Sequence, residues 1–431
     1  MKGKGRSRLI EWGKTLLIIL LAASAIYLLG RTQFFEGMRG RVQSLLSATA
    51  SDEREDFTGQ SDPAVIRPMS VVMTLESGQR YGVQYDLAET DAVFSSVSTL
   101  LTEAVSSVDA PRKISERNWR DALGKEGIWL DLYYPLPLEV LSGHPDEGAR
   151  SVHSSHAVRR LCLAAGREDS VELLYINEPD GVFYACTTTL SRRTHLEPVL
   201  AGWSANGAMF AFEVPGMENV APYILLTATP KPVTYRSGNP LAGDSGRIAE
   251  LLKKLSFQSR GNALDPLTGG LQVEGNDSLR LLESGLLTFH TLGDTEFRFL
   301  LSENTHQGAL DYTQDLANAT IGAWCEGAGL RLAGVQERAD GLEILYQYCL
   351  DGIPVELPGG NPAARFVVRN GAVTDFSLYF RAYSPTGETT LILPELQAAA
   401  ALGADAGEEN ELTLIYQDGG GERAGAGWIA N

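Results

Sequence analysis

The first thirty residues constrain this chain most, because their charge and hydropathy follow the pattern of a single membrane anchor. Residues 1–14 carry five basic residues and Glu11, whereas residues 15–30 are uncharged and almost wholly apolar. Nineteen residues counted from Trp12 to Gly30 form roughly 28 Å of helix, close to the hydrocarbon core of about 30 Å. Basic flanks stay on the cytoplasmic side. The sequence therefore predicts a transmembrane helix at 15–30, a cytoplasmic basic segment at 1–14 and an extracytoplasmic remainder in the cell membrane.

A cleaved signal peptide is the alternative interpretation of this segment. Ala23-Ser24-Ala25 supplies small residues in an A-x-A arrangement after a short apolar core. The apolar run nevertheless continues through residues 26–29, beyond the candidate cleavage site. This continuation favours a retained anchor that holds the chain in the lipid bilayer through one helix.

Small residues on the predicted helix indicate a face that another helix could contact. Thr15, Ala22 and Ala25 lie close to one side of a helical projection. Small side chains let two transmembrane helices approach closely, and packing drives their association in lipid. We predict a partner-contact face at these three residues, with an anchor that has no partner as the alternative.

The charge of the chain limits its possible partners. The net charge is −18, and the first fourteen residues are basic, so the residues that follow them carry −22. Such a field repels phosphate backbones, and nucleic-acid binding is therefore not expected. With 431 residues and 44% hydrophobic residues, the chain can fill two cores.

Composition divides the extracytoplasmic part into three predicted segments. Residues 31–68 are polar and lack apolar periodicity, which predicts a juxtamembrane stalk. Clusters of Gly, Asn, Pro and Asp between residues 237 and 246 predict a domain boundary. We therefore predict two α+β domains, one at 69–240 and the other at 241–431.

Local patterns predict mixed helices and strands joined by hairpins. Helices are predicted at 90–108, 115–123, 152–164, 246–255, 312–326 and 394–402. Strands are predicted at 70–76, 81–87, 127–134, 171–177, 182–189, 221–229, 232–235, 271–274, 286–292, 296–301, 330–337, 342–350 and 412–417. Asn370-Gly371 separates two further β-prone runs and predicts a type I′ hairpin. This order indicates α+β domains with antiparallel sheets.

Four cysteines occur in two pairs with equal spacing. Cys162 and Cys186 are 24 residues apart, as are Cys325 and Cys349. In an oxidising compartment the simplest pairing is Cys162–Cys186 and Cys325–Cys349. Buried free thiols are the alternative, because free cysteine is among the most buried residue types.

The sequence contains no recognisable catalytic or cofactor-binding motif. His153-Ser-Ser-His156 would place two imidazoles one turn apart on a helix, but a solvated helix start is the favoured interpretation over a metal site. Asp311, Asp315 and Glu326 are interpreted as the polar face of a helix. We predict no catalytic residue, no cofactor and no metal.

Four tryptophans are candidates for a partner surface. A core role is favoured for them, because large aromatic side chains are usually buried. They are Trp119, Trp129, Trp203 and Trp428.

The layout resembles the YycH family, with its relative YycI, of membrane-anchored accessory proteins from Gram-positive bacteria. The likeness rests on the basic N-terminus with one anchor, the strand that closes on Pro135-Leu136-Pro137, and the stretches at 171–177, 182–184 and 223–235. Residues 346–354, 366–376 and 393–397, with Trp428 near the end, are similar to PepSY-type modules. The four cysteines and the many Gly and Ala residues depart from the family's pattern.

The resemblance implies a regulatory role without enzymatic activity. Members of that family act through the transmembrane helix and outer domains on a cell-wall-sensing histidine kinase. The expected partner is thus a sensor histidine kinase or a related membrane accessory protein. An envelope ligand-binding or assembly module without a kinase partner and an envelope hydrolase are the competing hypotheses.

Overall fold

The computed structural model describes residues 66–142, 156–218, 220–258, 270–293, 297–402 and 411–430. The predicted anchor, including Thr15, Ala22 and Ala25, and nearly all of the predicted stalk lie outside these residues. Within the part of the chain that the structure describes, no helix combines the length and the apolar composition needed to cross a bilayer.

The first sheet has seven strands, all antiparallel to their neighbours, in the order β2-β1-β4-β5-β6-β7-β3. The strands are β1 (Ser70–Thr74), β2 (Arg80–Gln84), β3 (Arg112–Ile114), β4 (Gly127–Pro137), β5 (Ala157–Ala165), β6 (Ser170–Asn177) and β7 (Val182–Ser191). Helix α1 (Leu87–Ser106) covers one face, and α2 (Glu116–Leu123) covers the other with a small hairpin of β8 (Met209–Phe210) and β9 (Leu225–Leu226). A four-residue helix α3 (Glu197–Leu200) follows β7 after a π-helical turn. We call residues 66–226 the N-terminal lobe.

The second sheet has twelve strands and forms the C-terminal lobe, residues 233–430. Its strands are β10 (Val233–Gly238), β11 (Leu271–Glu274), β12 (Asp277–Leu281), β13 (Leu286–Thr291), β14 (Gly329–Arg338), β15 (Gly341–Leu350), β16 (Ile353–Glu356), β17 (Ala364–Arg369), β18 (Ala372–Tyr379), β19 (Ala382–Thr389), β20 (Leu412–Gln417) and β21 (Arg423–Ala430). The helices are α4 (Ser245–Lys254), α5 (His306–Ala319) and α6 (Glu395–Leu402). Only β16 and β20 pair in parallel, among the strands described.

Side-chain caps set the start of several helices. Ser115 accepts a hydrogen bond from the backbone N–H of Asn118 at 3.2 Å. Asp86 and Thr305 cap α1 and α5 in the same way, at 2.9 Å and 3.0 Å. Each cap satisfies a backbone donor that the first turn of the helix leaves unpaired.

The segment predicted as a helix at 152–164 is a strand where the structure describes it. Strand β5 lies at the centre of the first sheet, between β4 and β6. Leu161 and Leu163 face one core and Cys162 and Ala164 face the other, so the strand is buried on both faces. A continuous apolar run of this kind has no alternation, and its pattern resembles that of a buried helix.

Three further boundaries differ from the prediction. The helix predicted at 312–326 begins at His306 and ends at Ala319, where the Thr320 hydroxyl donates to the carbonyl of Leu316. Glu326 therefore lies beyond the helix, and its carboxylate accepts a hydrogen bond from the hydroxyl of Ser384. The strand predicted at 221–229 is limited to the two residues of β9. No strand occupies the described part of 296–301, where Leu300 forms an isolated bridge.

The predicted class, mixed α+β with antiparallel sheets, is confirmed. Trp119 and Trp129 are buried, whereas Trp203 and Trp428 are half-buried. One hydrophobic core contains residues of both sheets. The domain boundary at 240/241 stays a prediction.

Candidate functional site

A buried network of charged side chains joins the two lobes. Arg159 donates two hydrogen bonds to Asp131, from Nε at 2.8 Å and from Nη2 at 3.1 Å. Its Nη1 also donates to Glu411, at 2.5 Å, immediately before β20 of the C-terminal lobe. Arg160 contacts the same two carboxylates. Two guanidinium groups of β5 thus bridge a carboxylate of the N-terminal lobe to one of the C-terminal lobe.

An irregularity in β4 brings these side chains together. The pairing of β4 with β5 shifts between Asp131 and Leu136, so β4 carries extra residues there. Tyr133 has a positive φ of 69°, and its backbone N–H donates to Asp131 at 2.7 Å. Bulges of this type redirect side chains and recur beside functional sites. The bulge places the Tyr133 ring 5.6 Å from the Arg159 guanidinium carbon.

The network keeps its carboxylates ionised. Burial alone would raise the pKa of Asp131, but the nearby guanidinium groups of Arg159 and Arg160 outweigh it and hold that pKa below its usual range. The same balance lowers the pKa of Glu411. The charges therefore form a fixed electrostatic link between the lobes, and losing one of them would leave the others buried and uncompensated.

A second contact between the lobes centres on Glu395, the first residue of α6. Its Oε1 accepts a hydrogen bond from Gln84 Nε2 at 2.8 Å, and its Oε2 accepts one from the Thr227 backbone N–H at 3.1 Å. The residue is only 5% exposed. Burial raises the pKa of Glu395 to about 8, despite the two hydrogen bonds that lower it. This carboxyl group is consequently protonated at neutral pH and titrates in mildly alkaline solution.

A histidine bridges the lobes at a third point. His306 Nδ1 lies 3.4 Å from Glu139, in the turn after β4, and Nε2 lies 3.5 Å from Glu337 at the end of β14. One ligand atom from each residue lies within 4.8 Å of the others. The two imidazole nitrogens face different carboxylates, however, instead of both carboxylates facing one nitrogen. His306 therefore lies between a carboxylate of the N-terminal lobe and one of the C-terminal lobe.

A hydroxyl group, an imidazole and a carboxylate also lie close together. They belong to Ser191, His195 and Asp169. Ser191 Oγ donates to Asp169 at 2.6 Å, while His195 Nδ1 lies 2.8 Å from the Thr194 hydroxyl. In a catalytic triad the imidazole stands between the hydroxyl and the carboxylate. That order is not present here, because the serine contacts the carboxylate directly.

The predicted disulfide between Cys162 and Cys186 is inconsistent with the sheet. All four cysteines are buried and free. Cys162 lies on β5 and Cys186 on β7, with β6 between them, and they face different cores. Two strand spacings amount to roughly 9.5 Å, beyond the Cα separation of about 7 Å that a disulfide can bridge. Cys325 and Cys349 are likewise unpaired, and the Cys325 thiol donates to the carbonyl of Ala328 at 2.7 Å.

The two histidines considered for a metal have different positions. His153 lies outside the described residues. His156 precedes β5, and its Nδ1 lies 2.8 Å from the Tyr175 hydroxyl. Burial lowers the pKa of His156. This residue is part of an aromatic cluster with Tyr175 and Tyr184.

Sequence reasoning missed the residues that join the lobes. Arg159 and Arg160 interrupt the apolar run of β5, and two adjacent charges in such a run are a usable signal of a buried ionic network. Glu395 and Glu411 carry no comparable local signal. Their partners are far away along the chain.

Comparisons with known proteins show the fold. No protein-family model matches the chain, and the curated proteins contain no significant match. Among solved structures, the chain is similar to the crystal structure of YycH from Bacillus subtilis, with a TM-score of 0.50 and 14% sequence identity. The likeness covers 85% of this chain and 93% of that one. The chain therefore has a YycH-like fold, whereas its PepSY-like detail stays a prediction.

Proposed function

We propose that this chain is a membrane-anchored extracytoplasmic accessory protein that modulates a cell-envelope sensor histidine kinase. The observation that carries the proposal is the YycH-like fold, which extends over 85% of the chain. The basic segment followed by the apolar run at 15–30 supplies the anchor. The proposed role requires no catalytic residue and no cofactor.

The anchor is the proposed site of action. Thr15, Ala22 and Ala25 would allow a kinase transmembrane helix to pack closely against it. A helix that binds one of two kinase packings more tightly shifts the kinase toward that packing. The direction of regulation follows from which packing the helix prefers.

The contacts between the lobes would couple a movement of the C-terminal lobe to the first sheet. The Arg159 and Arg160 network and the Glu395 contact tie the C-terminal lobe to the first sheet, which directly follows the predicted stalk. A ligand that changes the relation between the lobes would therefore alter the force or orientation at the anchor. Coupling of this kind needs an element with two discrete arrangements, and the junction is our candidate.

A comparison of two anchors tests the proposal. The tagged full-length protein is purified from its own organism in mild detergent, beside a variant in which residues 16–29 are replaced by an unrelated transmembrane helix. Mass spectrometry then identifies the bound proteins. We expect a histidine kinase to copurify with the native anchor and to be lost with the foreign one.

Two outcomes would redirect the proposal. Retention of the kinase by both proteins would place the contact in the outer lobes instead of the anchor. Absence of a kinase from both would overturn the accessory role. The chain would then be an envelope ligand-binding or assembly module, the competing hypothesis.

A further inference from the structure

Strand β14 has a free edge that opens into a groove. It pairs with β15 on one side, and no described strand pairs with its other side. Four consecutive residues, 333–336, line a groove of about 690 Å³. A strand edge presents unpaired backbone donors and acceptors at regular spacing. The groove therefore lies beside a stretch of β14 whose outer edge is not paired with any described strand.

The other walls are mainly apolar and come from both lobes. Tyr134 and Pro135 of the β4 bulge, Pro179 of the turn between β6 and β7, and Pro362 face the groove. Gly334 of β14 pairs with Leu345 of β15, and the glycine has no side chain of its own on this surface of the sheet. At this point β14 presents only its backbone to the groove.

At the polar end of the groove, the carboxyl groups outnumber the guanidinium groups by one. Glu178 lines the groove, and among the residues that the structure describes it has no ion-pair partner and its buried Oε1 accepts no hydrogen bond. The charged groups around it are Arg160, Arg159, Asp131 and Glu411, and both arginines are engaged by the last two carboxylates. Three carboxylates therefore share two guanidinium groups. Burial raises the pKa of Glu178, as expected for a carboxyl group without its own cation.

We propose that this groove binds an extended peptide segment of a partner protein, which pairs with the free edge of β14 and places a basic side chain beside Glu178. Strand addition derives its affinity from main-chain hydrogen bonds, and pockets for alternate side chains provide specificity. The apolar walls accommodate the stem of a lysine or arginine, while the charged end lies against the unpaired carboxylate. This site is separate from the anchor, so it does not depend on the proposed action on a kinase.

The test uses the full-length protein in mild detergent and two labelled hexapeptides of alternating sequence. One peptide is Thr-Val-Lys-Val-Thr-Val and the other has Glu in place of Lys, and fluorescence polarisation measures both affinities. We expect the Lys peptide to bind at least about tenfold more tightly than the Glu peptide. N-methylation of alternate peptide amides should abolish binding of the Lys peptide, because it removes the ladder donors.

Two variants locate the binding in the groove. Glu178→Gln should remove most of the preference for Lys, and Gly334→Leu should weaken binding of the Lys peptide at least about tenfold by filling the groove. A Cβ at Gly334 would meet Leu345 Cδ1 at 3.4 Å, an ordinary contact, so the backbone of β14 can carry a side chain here. Glu76→Gln, an exposed charge on the turn after β1, is the matched control and should leave both affinities unchanged. Thermal unfolding checks that each variant is folded.

Failure to bind either peptide, equal affinity for both, or full binding by folded Gly334→Leu would overturn the proposal. Sedimentation velocity separates one further possibility, pairing of β14 with a second copy of this chain. If the protein is a dimer that Gly334→Leu converts to a monomer, the edge serves self-association and the peptide proposal is wrong.

Discussion

Glu395 accepts a hydrogen bond from Gln84 at 2.8 Å, although 311 residues separate the two along the chain. The pair joins helix α6 of the C-terminal lobe to the edge strand β2 of the first sheet. Burial favours the neutral form of Glu395 and outweighs the hydrogen bonds from Thr227 and Gln84, which favour the ionised form. The junction between the lobes therefore depends on pH.

We predict that the free energy of unfolding falls between pH 4.5 and about 8 because of Glu395. Its folded pKa of about 8 exceeds its ordinary value of 4.5, so the folded state retains a proton that the unfolded state has released. The loss is on the order of 5 kcal/mol across this window. Glu395→Gln, which stays neutral, should not show it. Urea unfolding at unit pH intervals measures both proteins, and parallel profiles would contradict the assignment.

Asp131→Asn should destabilise the protein by roughly 3 to 5 kcal/mol, because it removes an ion-pair partner of two buried guanidinium groups and leaves both of them to Glu411. In the native protein the lowered pKa of Asp131 means that its contribution is lost only as the pH falls through that lowered value. Urea unfolding at pH 7 measures the loss. Glu388→Gln is the control, since its ion pair with Arg423 is exposed and should contribute less than about 1 kcal/mol. Similar values for the two variants would argue against a buried network.

Local patterns in the sequence were sufficient for most of the secondary structure. The hairpin at Asn370-Gly371 and the capped helix at Ser115 depend on interactions between residues close together in the chain. Strand β5 was missed because tertiary packing on both faces removed the alternation that identifies a strand. The order of strands in the twelve-stranded sheet likewise depends on residues far apart in the chain. Strand β16, for example, pairs with β20.

The candidate site was beyond sequence reasoning for the same physical reason. Arg160 contacts Glu411 across 251 residues, and nothing within either local segment specifies the other. The β4 bulge that aims these side chains depends on a positive φ at Tyr133, a residue type that rarely adopts it. A single sequence contains these charged residues, but it does not show which of them contact each other in the fold.

All four cysteines should react as free thiols once the protein is unfolded. In guanidinium chloride without a reductant, iodoacetamide should add four groups, as measured by intact-mass spectrometry. In the native protein the reaction should be slow, because burial raises the pKa of Cys162 to about 12 and that of Cys186 to about 11. Unfolded protein that accepts alkylation only after reduction would instead establish disulfides.

Gly371→Ala should destabilise the C-terminal lobe by about 1 to 2 kcal/mol. Gly371 has a φ of +72° in the turn between β17 and β18, where an L side chain is strained. An added Cβ would also lie 3.3 Å from Asn304 Cγ, so that neighbour must shift.

Gly202→Ala is the matched control, because its φ lies outside the left-handed region and no atom lies within 4 Å of the added carbon. Urea unfolding should show a loss for the first and a neutral or slightly stabilising effect for the second, through the smaller entropy of the unfolded chain. Equal effects would mean that the turn does not require the left-handed conformation at residue 371, and the type I′ assignment would fail.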